Sequence, residues 1–156
     1  FTGARNLRVE DTGRMHFCHS DGTTDGTALI TLPAIKDLSL GDRYTLVQDL
    51  APAADILVIK TNSDSDTFSS GSYLLNSNVG VDGDGNDLVQ PGNASCQVFV
   101  VRNAATNAAH GIGSTLDCQV VAPNRWLLLG RSAAAGNGLA SATNYQWAAD
   151  ATAYSA

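Results

Sequence analysis

The sequence predicts an all-β protein, a jelly-roll-like β-sandwich of about eight to ten short strands. Three observations carry that expectation. Apolar and polar residues alternate with period two through "RYTLVQDL" (43–50) and "STLDCQVVA" (114–122), the spacing of a half-buried strand. Continuous apolar runs of strand length, rich in β-branched residues, occur at "DILVIKT" (55–61) and "SCQVFVVRN" (95–103). Turn signals such as Asp-Gly, Pro-Asn and Gly-Asn separate these runs. The acids agree: Glu10 is the single glutamate, Lys36 and Lys60 are the two lysines, and the other acids are aspartates, a choice that favours turns over helices.

Residues 1–14, "FTGARNLRVEDTGR", hold Arg5, Arg8 and Arg14 without strong periodicity. They read as an N-terminal arm or a weak edge strand able to reach an acidic neighbour. The domain proper is expected over 15–131. "MHFCH" (15–19) is a short strand, and "SDGTTDGT" (20–27) contains two Asp-Gly turns. "ALITL" (28–32) is a strand stopped by Pro33, which cannot donate to a ladder. Gly41 permits the turn before Tyr44. In the next strand Tyr44, Leu46, Gln48 and Leu50 share one face, and Thr45, Val47 and Asp49 the other. Residues 55–61 read as a central strand buried on both faces.

Short apolar pieces follow at Phe68 and Tyr73–Leu75, then the turn-rich stretch 77–93, the buried run 95–103 and a loop or single helical turn at 105–113. Leu116, Cys118 and Val120 point inward. Pro123-Asn124 turns the chain into "RWLLLG", where Trp126 is a core residue whose indole N–H needs a polar partner. Residues 132–156 form a C-terminal arm. Its Tyr145, Trp147 and Tyr154 are large aromatics on a small-residue segment, expected to dock on the parent domain or on a neighbouring subunit.

The 156 residues suit one domain. Only 15% are charged, against roughly 25% in ordinary globular proteins, which suits a surface that packs against neighbours. The net charge is −6, which argues against nucleic-acid and anionic-membrane partners. No apolar run approaches the ~20 residues of a membrane helix. The sequence opens at Phe1, as a processed or partial chain would. Cys18, Cys96 and Cys118 are odd in number and lie in apolar or alternating runs. They are expected as buried, reduced thiols, the state favoured in a reducing cytoplasm. A Cys96–Cys118 bridge is the alternative.

No metal or other cofactor is expected. Asp82, Asp84 and Asn86 in "DGDGND" alternate as calcium ligands do, but Asp87 and Asn93 stand where an EF-hand has glycine and glutamate, and a surface turn accounts for them. His16 and His19 are three apart, on opposite faces of a strand, and with His110 they make a poor zinc set. Nucleophile elbow, phosphate loop and dinucleotide fingerprint are all missing from the sequence, so no enzyme is predicted.

The order of several motifs resembles that of tailed-phage virion proteins of the capsid-decoration and tail-fibre type. The residues are Leu32-Pro33-Ala34, Gly41 to Thr45, Asp66 to Gly71, Gly113 to Cys118 and Asn124 to Gly130. The resemblance spans about residues 27–131. It implies a jelly-roll domain, commonly a homotrimer, on a virion assembled in the bacterial host cytoplasm. The expected function is that of a decoration (cement) protein binding the major capsid protein on the outer head surface, with Arg5, Arg8, Arg14, Tyr145, Trp147 and Tyr154 as contacts. The alternative is a receptor- or glycan-binding module of a tail fibre or spike.

Overall fold

Two mixed β-sheets close on one hydrophobic core in the computed structural model of the chain, which describes residues 4–18, 27–48, 56–63, 65–76, 89–91, 96–102, 113–132 and 145–149. The strands are β1 (Arg5–Asn6), β2 (Met15–Cys18), β3 (Thr27–Thr31), β4 (Arg43–Gln48), β5 (Ile56–Lys60), β6 (Thr67–Phe68), β7 (Tyr73–Asn76), β8 (Val89–Pro91), β9 (Val98–Arg102), β10 (Thr115–Ala122), β11 (Arg125–Ser132) and β12 (Tyr145–Ala148). One sheet runs β1-β3-β5-β9-β12. The other runs β2-β4-β10-β11-β7-β8, with β6 also on β11. The all-β expectation holds. Among the described residues five of the ten ladders are parallel, whereas a jelly roll joins antiparallel Greek keys, so these sheets differ from a purely antiparallel sandwich.

The inward faces follow the alternation. Tyr44, Leu46 and Gln48 on β4 are buried, as are Leu116, Cys118 and Val120 on β10. They meet Trp126 and Leu128 of β11 and, across the core, Ile30, Leu57, Ile59 and Phe99 of the other sheet. β5 lies at the middle of its sheet. Val58 is buried on the face opposite Leu57 and Ile59, as a strand covered on both sides requires. All three cysteines are free and buried, so Cys96 and Cys118 are not bridged. Burial alone pushes the Cys96 thiol up, and desolvation followed by the nearby Asp117 charge pushes Cys118 up strongly.

The turns follow local chemistry. Gly41 has φ +93° and donates its N–H to Val120 O at 2.9 Å, a left-handed conformation that glycine adopts without strain. In the β10–β11 hairpin Ala122 pairs with Arg125, and Asn124 takes φ +58° after Pro123, the order of a type II turn. Beyond Pro33 the chain makes a short 3-10 turn over Ile35–Asp37. Its leading N–H, on Ile35, is accepted by the buried Asp66 carboxylate at 3.0 Å. Two motifs that stand 31 residues apart in sequence are thus one structural unit, a helix end satisfied by a distant side chain.

The N-terminal segment is part of the sandwich. β1 pairs with β3 and β2 with β4, so residues 4–18 cross from one sheet to the other. Leu7 is in the core, and its N–H bonds Thr31 O at 2.9 Å. The weak-edge-strand reading describes β1, and a free arm does not describe residues 4–14. Burial of Leu7, the two ladders and backbone bonds to Thr31, Arg43 and Thr45 together hold a segment without periodicity.

Trp126 departs from expectation. It is fully buried with its ring 5.9 Å from Tyr44, edge to face, yet its Nε1 has no hydrogen-bond partner among the described residues. Packing of the large ring outweighs the cost of one orphaned donor.

Candidate docking site

A reversal of the chain gathers the arginines. β1 carries Arg5. A 3-10 turn over Val9–Asp11 follows Arg8, and Gly13 at φ +75° returns the chain toward Arg14 at the head of β2. The three arginines, with Asn6, Glu10 and Asp11, line an open polar concavity of about 660 Å³. Its backbone is held from both sheets. Tyr44 Oη donates to Arg8 O at 3.2 Å, Gly13 N to Arg43 O at 2.7 Å, and Thr45 N to Arg14 O at 3.3 Å. Burial pushes the Tyr44 phenol up.

Asp11 organises the floor. It is largely buried. Its Oδ2 accepts the Arg8 N–H at 3.0 Å, and its Oδ1 stands 3.6 Å from Arg14 Nη1. The Arg8 amide, then the electrostatic influence of nearby His16, Arg5 and Arg14, hold its carboxyl below the usual carboxylate range, against the opposing effect of burial. Arg8 Nη1 lies 3.5 Å from Glu10 Oε1. Both Arg8 and Arg14 remain open to solvent, at 75% and 67% side-chain exposure.

Beside this concavity β2 exposes Met15 (66%) and Phe17 (52%) on the outer face of its sheet, while His16 and Cys18 turn inward. Phe17 stands in register with Val47 and Thr115, and Met15 with Thr45 and Asp117. A polar band follows, where Thr45 Oγ1 bonds Asp117 Oδ1 at 2.5 Å and Arg43 Nε lies 3.2 Å from the same oxygen. A second, smaller concavity of about 260 Å³, lined mainly by Ile35, Leu38, Leu40, Val120 and Pro123, is more apolar.

The sequence-derived contact residues therefore separate. Arg5, Arg8 and Arg14 come together. Trp147 does not join them: it packs into the core, its ring 4.5 Å from Phe99 and 5.4 Å from Phe68, as an edge strand laid over the open side of β9 dictates. Part of its aromatic surface is thus used within the chain, as docking on the parent domain, one of the two expectations, requires. Tyr145 begins β12, opposite Val101. Tyr154, the Asp82, Asp84 and Asn86 set, His19, His110 and Leu50 lie outside the described residues. Among the described residues no group of three or more His, Cys, Asp or Glu side chains is placed to hold a metal ion, and no helix is long and apolar enough to cross a membrane. Sequence reasoning misses Met15 and Phe17 because "MHFCH" does not reveal which face is inward; only pairing with β4 settles it. Compared with protein-family models, with curated proteins and with solved structures, the chain matches none.

Proposed function

We propose that this chain is a non-enzymatic docking protein of a tailed-phage virion, a decoration (cement) protein that binds the major capsid protein on the outer head surface as a homotrimer. The observation that carries the docking part is the pairing of an arginine-lined concavity with exposed Met15 and Phe17 on the adjoining edge strand. Interfaces favour this combination: apolar anchors that lose water, and guanidinium groups that read a partner's polar groups. The head and the trimer are supported by the motif order over residues 27–131. Binding only the assembled shell stabilises that shell by mass action.

Antibodies raised to the purified chain and applied to particles from lysates of the strain carrying this sequence are expected to label heads. Label confined to tail tips, or no particle labelled, refutes the head assignment. Heads stripped of the protein are expected to release DNA at a lower temperature and to recover on its return.

A further inference from the structure

The geometry points to the concavity of residues 4–14 as a receptor for carboxylates, so that the partner surface it takes is an acidic protein segment. This deepens the docking reading and rests on it for the partner's identity, but the chemistry stands on the site itself. Three of the chain's nine basic residues line one recess. Their backbone is fixed by bonds to Thr31, Arg43, Tyr44 and Thr45, so little ordering remains to be done on binding. On Arg8 and Arg14 the internal carboxylates leave donors over. Glu10 and Asp11 meet Arg8 and Arg14 at 3.5 and 3.6 Å, longer than the 2.7–2.9 Å of a charge-assisted hydrogen bond, and Asp11 is already engaged with the Arg8 amide. Each guanidinium has five donors in a planar fork matched to a carboxylate.

The same two acids select against more highly charged anions. A phosphate group concentrates about two charges on one centre, and brings them against Glu10 and Asp11 as well as toward the arginines. A carboxylate carries one charge and can replace exposed Glu10 at Arg8 by simple exchange. Glu10 is thus a placeholder: an incoming acid displaces it, and no net charge is buried.

The test titrates a ten-residue peptide of alternating Glu and Gly into the isotopically labelled full chain at low salt, followed by amide shifts. Expected is saturable binding confined to residues 4–17, weakened at least about tenfold by Arg14→Gln or Arg8→Gln, and by 0.5 M salt. Glu10→Gln is expected to tighten binding several-fold, whereas Asp37→Asn, an equal charge change at an exposed residue outside the recess, leaves it unchanged. Shifts scattered over the surface, equal binding of a Lys-Gly peptide, or competition by inorganic phosphate as strong as by the acidic peptide overturns the inference. Equal tightening by Asp37→Asn also overturns it, because the effect is then net charge alone. Peptide binding with no label on heads leaves this site standing and removes the head; labelled heads with no peptide binding does the reverse.

Discussion

Replacing Asp66 with alanine tests whether one buried carboxylate joins the turn after Pro33 to the β6 segment. Asp66 is 2% exposed, and its Oδ2 takes the Ile35 N–H at 3.0 Å. Its own N–H bonds Ser63 O at 3.0 Å, and the next residues bond Asn124 O and Cys96 O, so the carboxylate is held in place from several sides. A hydrogen bond to a charged group contributes about 1.5–3 kcal/mol, and leaving the donor buried and unsatisfied is part of that same loss. Removing the carboxylate recovers some of its desolvation cost, so the expected destabilisation for Asp66→Ala is about 2 kcal/mol. For a chain of this size that lowers Tm by roughly 4–8 °C. Asp66→Asn keeps the shape and a neutral acceptor, and is expected to lose about half as much. Urea unfolding gives the energies, and hydrogen exchange of the Ile35 amide gives the local effect, which must quicken more than that of amides in β10. A change under about 0.5 kcal/mol for Asp66→Ala, or an Ile35 amide as protected as before, refutes the capping role.

Trp126→Phe removes about two ring carbons, worth roughly 0.8 kcal/mol each, but also removes an orphaned buried N–H that costs about 1–3 kcal/mol. The net change by urea unfolding is expected within about 1 kcal/mol, and a loss beyond about 3 kcal/mol means that the donor is satisfied after all. Gly41→Ala forces a side chain to φ +93°, with open space around it, and is expected to cost about 1–2 kcal/mol through backbone strain; Gly71→Ala, at ordinary φ with contacts of 3.6–3.7 Å, is expected near zero. Asp11 has its folded pKa depressed, so its contribution is present above the unfolded value of about 3.9 and is lost as pH falls through the folded one. The stability gap between the chain and Asp11→Asn is therefore expected at neutral pH and to close below about pH 4, as followed by pH-dependent urea curves. Cys18, Cys96 and Cys118 are buried, and a thiol reagent is expected to react fully only in denaturant; rapid labelling in buffer contradicts the packing.

Faces were legible in the sequence where the alternation was long. Tyr44, Leu46 and Gln48, and Leu116, Cys118 and Val120, turn inward as their period requires, and the apolar run at 56–60 sits centrally. Partners were not legible, because alternation fixes which side of a strand is buried and says nothing of its neighbour. The parallel pairing of β1 with β3 and β2 with β4 could not be read this way. Nor could the bond between Asp66 and Ile35. Leu7 was hidden for a related reason: a single apolar residue has no period. Arg5, Arg8 and Arg14 stood out by type, but their meeting depends on the reversal at Gly13. For Trp147, the size of the ring signalled burial correctly, and the strand ladder decided that the burial is internal.

That internal placement changes how the docking reading must be probed. Cutting the chain after Gly130 removes β12, opens the edge of β9 and uncovers Phe99 from Trp147, so lost binding after such a cut reports a damaged core. The N-terminal segment argues similarly. An arm ordered only on contact gives up conformational entropy when it binds, and its affinity falls accordingly. Here residues 4–18 already link the two sheets, with Leu7 in the core between them. A ligand held by Arg8 and Arg14 therefore binds only the folded sandwich, and at a hundred times its Kd it adds about 2.7 kcal/mol to that fold. A ligand in the recess and the folded state are linked by mass action. Heat resistance of the isolated protein with and without an acidic peptide thus measures the docking site from the inside.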